Sequence, residues 1–183
     1  MSEMQRVVEF IVSKAHVNQI RNLSGVPAVT HPMEVVSQLA CWGIKHPVTW
    51  KAGYCHDVKE DCPHITHKEL VEVIGKESVS VVDELTFVFD PKLPDDHKQQ
   101  KAKYLESFRT KSLHALAVKM ADRAVNSCDF LCFNPDYAKK YWRMASPLFL
   151  AFMERSDEVK EFFGEGSFVM MMHTRTTINA VFQ

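Results

Sequence analysis

The sequence predicts an all-α fold, and three observations carry that prediction. Only 6 Gly and 8 Pro punctuate 183 residues, and between them apolar side chains recur at spacings of three and four far more often than in strict alternation. Helix starts are signalled where such stretches begin, by Thr30 with Pro32 in the following turn and by Thr66 with Glu69 at capping-box spacing. Hydrophobic residues are 46% and charged residues 25%, the balance of an ordinary globular domain, so disorder is excluded and a single domain over 1–183 is expected.

Taken in order, a first helix is expected over Glu3–Gln19, followed by a loop through Asn22–Pro27. A second helix runs from Thr30, its cap, to Gly43, and a third from Pro47 to Glu60, stopped by Pro63. The Thr66 box opens a short helix that Gly75 closes. The stretch from Ser78 to Phe89 is rich in β-branched residues, yet Val81, Val82, Leu85 and Val88 keep helical spacing, so helix is the reading taken. Two prolines and three acids make Asp90–His97 a loop. Helices follow at Lys98–Phe108, Ser112–Phe133 and Pro135–Glu154, with a short one capped by Ser156. From Gly164 the tail has no clean period and is expected to be partly irregular or short strand, its aromatic and methionine side chains packing in the core in preference to an oligomer contact, which stays open.

Lys plus Arg number 22 against 23 for Asp plus Glu, so the charge signature of extended nucleic-acid binding is missing. The longest apolar run, Met144–Met153, falls short of the roughly 20 residues a membrane-spanning helix needs. Glu3 and Glu9 stand where a secretory signal has its apolar core, so a cytosolic protein is expected. Five cysteines, odd in number and without a CxxC pair, read as reduced thiols that mostly fill the core. No glycine-rich phosphate loop is present, which removes the ordinary kinase and NTPase routes.

The chemistry-bearing candidates are His31, His56-Asp57 and Asp122. A His-Asp step alone means little in a chain with nine histidines. Here it sits near the end of an otherwise apolar helix, with Glu60 and Asp61 three and four residues after Asp57 on the same side. Crowded carboxylates repel unless water or a cation relieves them, and a divalent ion with His and Asp ligands is an economical relief; a solvated acidic helix end is the plain alternative. His31 opens its helix beside Pro32 and, taken alone, reads as a mere entry residue. Asp122 lies two residues from the centre of the stripe Leu113, Leu116, Ala117, Met120, Ala124, so it is expected to be partly buried and to need a partner, either Arg123 or a metal. Cys128 and Cys132 read as helix packing, Cys55 as apolar filler, His64 and His67 as solvent-facing, and Tyr137, Tyr141 and Trp142 as a core stripe.

The order His31, His56-Asp57, Asp122, with each part on its own helix, resembles the HD-domain metal-dependent phosphohydrolases. More narrowly, THPMEVVSQLACWGI at 30–44, AGYCHDVKEDC at 52–62 and LAVKMADRAVNSCD at 116–129 resemble the hydrolase domain of RelA/SpoT-type proteins and its small stand-alone relatives. The HDxxED run is the most specific of the three, and the likeness extends from Ala15 to about Met153, leaving 156–183 as an unassigned extension. The resemblance implies a helical bundle around one metal site and a cytoplasmic enzyme that removes the 3′-pyrophosphate from (p)ppGpp.

Matched residue by residue, the resemblance makes His31, His56, Asp57 and Asp122 the ligands of a manganese ion, and Glu60 and Asp61 the pair that orients or activates water. Asn126 and Lys101 match residues that meet the nucleotide and its phosphates, and Arg21 one that packs on the guanine side. The loop before His31 departs from the family's Arg- and Lys-rich composition, since Ile20, Asn22 and Leu23 flank Arg21. The same centre also suits a dNTP triphosphohydrolase, a 5′-nucleotidase or a hydrolase of another signalling nucleotide, and a sensor without turnover is the alternative from another class. The expected partner is a small nucleotide, with self-association left open.

Overall fold

The computed structural model of the chain describes residues 1–182. These residues form helices α1 (Glu3–Phe10), α2 (Thr30–Cys41), α3 (Pro47–Cys55), α4 (Val58–Asp61), α5 (His67–Leu85), α6 (His97–Glu106), α7 (Leu113–Phe133), α8 (Pro135–Arg143), α9 (Ser146–Glu154), α10 (Ser156–Phe163) and α11 (Glu165–Val181). The only β pairing among the described residues is an isolated bridge between Ile20 and Pro27. The all-α expectation therefore holds, and no described helix is long and apolar enough to cross a membrane.

Helix α7 is the centre of the arrangement, packed by α2, α3, α5, α8, α9 and α11. Its residues from Ala115 to Ala124 are buried without interruption, including Lys119, Asp122 and Arg123. A helix hydrophobic on all sides goes to the middle of a bundle, and polar groups carried there need partners. Beside it, α2 and α3 approach closely because Gly53 has no side chain. A methyl group there would lie 3.0 Å from Val36 Cγ2 and 3.2 Å from Leu39 Cδ1.

Several boundaries differ from expectation. The first helix stops at α1, continues as one π-helical turn over Ile11–Ala15, and the chain reverses at Asn18, whose φ of 60° is a left-handed conformation that Asn tolerates. Thr30 does not cap α2; Val29 holds that position while the Thr30 hydroxyl donates to the Pro27 carbonyl at 2.9 Å. Gly43 does end α2, at φ 78°, with Gly43 N–H bonding to Ala40 and Ile44 N–H to Leu39 in a Schellman pattern. The Thr66–Glu69 capping box is present, but Gly75 kinks α5 (φ 81°) where the sequence predicts a stop, and the helix ends at Leu85 before Phe89. The expected helix over Pro135–Glu154 is two, separated at Met144–Ala145 with Pro147 in the first turn of α9. Ser156 begins α10 without a side-chain cap bond.

The tail is the largest correction, since Glu165–Val181 is a regular helix. It buries Ser167, Met171 and Ile178, and two tryptophans reach out to tie it down. Trp42 Nε1 donates to Thr174 Oγ1 at 2.9 Å, and Trp142 Nε1 donates to Asn179 Oδ1 at 2.5 Å. Its weak period follows from docking by tertiary hydrogen bonds as well as by an apolar stripe. The cysteines also need correction: Cys55 and Cys62 are buried, whereas Cys41, Cys128 and Cys132 are exposed, so the last pair does not serve helix packing. Of the aromatic stripe on α8, Trp142 is buried, Tyr141 half-buried and Tyr137 exposed.

Candidate active site

Three places in the fold deliver the four expected donors to one point. His31 comes from the first turn of α2, Asp122 from the middle of α7, and His56 and Asp57 from the step between α3 and α4. The sequence predicts one continuous helix across that step, but Asp57 has opened to φ −97°, ψ −3° and starts α4 afresh. On an unbroken helix adjacent side chains diverge by about 100°. The break relieves that constraint for His56 and Asp57.

His56 Nε2 lies 3.2 Å from His31 Nε2, 3.1 Å from Asp57 Oδ2 and 3.8 Å from Asp122 Oδ1. His31 Nε2 in turn lies 3.2 Å from Asp122 Oδ1 and 3.5 Å from Asp57 Oδ2. Donors at roughly 2.1 Å from a common ion are about 3.0 Å apart at right angles and about 3.4 Å apart at tetrahedral angles. The donor set therefore fits one small divalent ion, with His31, His56 and Asp122 as the buried core of the site. His56 Nδ1 bonds to the Gly53 carbonyl at 2.8 Å; the carbonyl can only accept, so Nδ1 carries the proton and Nε2 is directed at the cluster. His31 Nδ1 is buried without a hydrogen-bond partner.

The electrostatics select positive charge. Burial alone would pull His56 down, but Asp57 beside it and Asp122 beyond push it up to about 9. Burial raises Asp57 and Asp122, and the imidazoles outweigh that for Asp57, while Lys119 and the imidazoles do so for Asp122, so both carboxyls are held well below the usual range. A cluster that keeps two carboxylates ionised and draws a proton onto an imidazole is one that a dication can occupy by displacing that proton. Lys119 Nζ, 2.9 Å from Asp122 Oδ2, is the organic partner of that carboxylate. Arg123 is not: it stacks on the Tyr141 ring, 4.2 Å from its centroid. Three residues back on a helix is the same face, whereas the next residue points elsewhere.

One wall of the cluster opens to a cavity of about 490 Å³. Asp57, Asp61, Arg21, Asn126 and Asp129 line it, with Ile20, Leu23, Phe130 and Phe133 supplying apolar surface. Asp61 thus faces the cavity, and its carboxyl is raised by burial and by the neighbouring Asp57 and Glu60. Glu60 points elsewhere and accepts from the Phe87 backbone N–H at 2.7 Å. Arg21 bridges to Asn126 Oδ1 at 2.8 Å and Asp129 Oδ2 at 2.7 Å, with Glu34 Oε2 at 3.7 Å. Asn126 also donates to Asp122 Oδ1 at 2.5 Å. Lys101 does not line the cavity; its ammonium lies 4.3 Å from the Phe87 ring centroid. Residues that sequence reasoning missed are Lys119 and Asp129, and His16 and Gln19 from the loop before α2. Lys119 was findable as the helical neighbour of Asp122; the others carry no local signal.

An all-helical chain in which a His-Asp step, a further histidine and a distant aspartate converge beside a cavity has the architecture of the HD-type hydrolases. The relatives it matches are guanosine-polyphosphate hydrolases. Over 136 residues, 71% of this chain and 19% of the relative, it is 31% identical to guanosine-3′,5′-bis(diphosphate) 3′-pyrophosphohydrolase of Haemophilus influenzae. Over 150 residues, 75% of this chain and 20% of the relative, it is 30% identical to the bifunctional (p)ppGpp synthase/hydrolase SpoT of Escherichia coli. The corresponding pyrophosphohydrolase of Aquifex aeolicus is 28% identical over 138 residues, 75% of this chain and 19% of the relative. The chain thus spans about a fifth of the length of the curated relatives it matches, and it is a homologue of that segment of them. Among solved structures it is similar to a metazoan orthologue of SpoT described as hydrolysing ppGpp, with a TM-score of 0.74, 17% identity, and 97% of this chain and 96% of that one covered. Coverage of 97% extends the likeness into the 156–183 tail. No family model matches the chain.

Proposed function

We propose that the chain is a metal-dependent phosphohydrolase of small nucleotides, with removal of the 3′-pyrophosphate of (p)ppGpp as its leading reaction and Mn²⁺ as its ion. The observation that carries this reading is the meeting of His31, His56, Asp57 and Asp122 at the wall of a nucleotide-sized cavity. The relatives named for this activity support it. When bound, a divalent ion supplies Lewis acidity toward a phosphoryl oxygen and acidifies water.

The chain's own groups do the rest. Asp61 is the carboxylate placed to take the proton of attacking water, and its upward shift makes it a better base than an ordinary aspartate. Glu60, bound to the Phe87 N–H, anchors the segment after α5 and acts as a positioning residue. Lys119 pairs with Asp122 Oδ2 and holds the carboxylate ionised, and Asn126 donates to Oδ1, the oxygen that faces the histidines, and so orients it. Arg21 and Asn126 orient the nucleoside across the cavity, and Lys101 adds positive potential from the Glu60 side. Five free thiols suit the reducing cytosol, where we place the protein.

The test is incubation of the purified protein with Mn²⁺ and a panel of ppGpp, the four dNTPs and cyclic dinucleotides, with products resolved by chromatography. Release of pyrophosphate from ppGpp is the expected result. Triphosphate or inorganic phosphate from another member reassigns the substrate, and stoichiometric binding without turnover across several divalent metals overturns the enzymatic reading.

A further inference from the structure

The loop from Gln19 to Ala28, which leads into α2, closes on itself: Ala28 N–H bonds to Gln19 O at 2.9 Å, Arg21 N–H to Val26 O at 2.8 Å, and Gly25 N–H to Arg21 O at 2.9 Å. This compact unit carries Arg21 into the cavity on one side. At its foot, the Gln19 amide crosses to the end of α4. Gln19 Nε2 donates to the Asp61 backbone carbonyl at 3.0 Å and lies 3.9 Å from Cys62 Sγ. The carbonyl can only accept, so the amide orientation is settled and Gln19 Oε1 is left as an acceptor. His16 Nδ1, 2.8 Å from that oxygen, must then carry its proton.

His16 is buried, lines the cavity beside Asp57 and Asp61, and has Cys62 Sγ 3.6 Å from Nδ1. Burial pushes the Cys62 thiol up to about 11, so it stays neutral and does not compete as a charged acceptor. Gln19 thus has both ends of its amide engaged, one by a ring in the chain segment before the loop and the other by the backbone of the residue that presents the water-facing carboxylate. Arg21, two residues on, is fastened separately to α7 by Asn126 and Asp129.

We propose that His16 and Gln19 form a latch that sets the width of the cavity: they are positioning residues that clamp the α4 end bearing Asp61 to the loop bearing Arg21. The inference rests on the phosphohydrolase reading for its kinetic consequence, and its structural consequence stands apart from that reading. The His16 ring is the fixed post, Gln19 the bar and the Asp61 carbonyl the catch. None of the three is a metal-facing atom, so loosening them leaves the His31–His56–Asp122 donors in place and moves the general base relative to the nucleotide.

Two variants separate this from a general packing role. Gln19→Glu has the same shape and keeps an acceptor for His16, but places a carboxylate oxygen against the Asp61 carbonyl and so opens the catch. His16→Asn removes the ring but retains a side-chain N–H donor in reach of Gln19. For Gln19→Glu the expected result is faster amide hydrogen exchange at 19–28 and 61–65. Mn²⁺ affinity should stay within about twofold of wild type, and kcat should fall on the order of 10- to 100-fold, the scale of an ångström-sized misplacement. His16→Asn should recover most of the exchange protection and rate. Unchanged exchange at 19–28 in Gln19→Glu, or a loss of Mn²⁺ binding in parallel with rate, overturns the latch. A wild-type protein without hydrolase activity defeats the phosphohydrolase reading alone, and the exchange measurement then decides the latch.

Discussion

Replacing Gly53 by alanine asks whether the contact between α2 and α3 sets the spacing of the two histidines. Gly53 is inside α3, where alanine is favoured over glycine by about 1 kcal/mol, so on an exposed face the change would stabilise. Here the new methyl group would lie 3.0 Å from Val36 and 3.2 Å from Leu39, a few tenths of an ångström inside ordinary contact, and Leu39 is fully buried. Overpacking of this kind costs typically about 1–3 kcal/mol, which leaves a net destabilisation of up to about 2 kcal/mol after the helix gain. In a chain of this length each kcal/mol lowers the thermal midpoint by about 2–4 °C. The control is Gly166→Ala in the first turn of α11, where nothing lies within 4 Å of the added methyl and a helix gain, at most the roughly 0.5–1 kcal/mol of an interior position, should appear without any overpacking. Because His31 and His56 ride on the two helices being parted, with their Nε2 atoms 3.2 Å apart, Gly53→Ala should also weaken Mn²⁺ binding. Thermal denaturation and calorimetric Mn²⁺ titration of the two variants make the assay. Equal stabilisation at both positions, with Mn²⁺ affinity unchanged at Gly53→Ala, would refute the reasoning.

Asp122→Ala leaves Lys119 buried without its carboxylate, so we expect a loss of about 3 kcal/mol in metal-free protein, the scale of a broken buried pair. Adding Lys119→Met should restore stability but not Mn²⁺ binding; denaturant titration that finds Asp122→Ala as stable as wild type refutes the pairing. Glu69 is held down to about 2 by Lys14, at 2.5 Å, and by the Thr66 cap. A carboxyl lowered on folding contributes stability that is present above its unfolded value near 4.5 and is lost as pH falls toward about 2. Across that window the wild type should lose stability more steeply than Glu69→Gln, and parallel acid-unfolding curves would show that this contact contributes nothing.

Features whose physics is local are legible in the sequence. The Thr66–Glu69 box, the Gly43 stop and the apolar character of α7 each depend on residues within one or two turns, and each is present. Features that depend on distant partners are not legible there. The tail becomes helix α11 because Trp42 and Trp142, far back in the chain, hold its polar side chains. The pair Glu60 and Asp61, adjacent in sequence and alike in chemistry, divides because the Phe87 N–H claims one and the cavity the other.

By itself, then, the sequence set His31, His56-Asp57 and Asp122 on separate helical stretches, since side-chain chemistry and helical periodicity are properties of the chain, and its resemblance to the HD-type hydrolases made them candidate ligands of one ion. Only the tertiary structure decided that α3 breaks at Asp57, that Lys119 and not Arg123 neutralises Asp122, and that His16 and Gln19 reach the end of α4. Those choices follow from burial and from the pairing of polar groups across separate helices. Burial makes an unpaired charge or amide costly, and which partner is near enough to relieve it is set by packing in three dimensions, not by position along the chain.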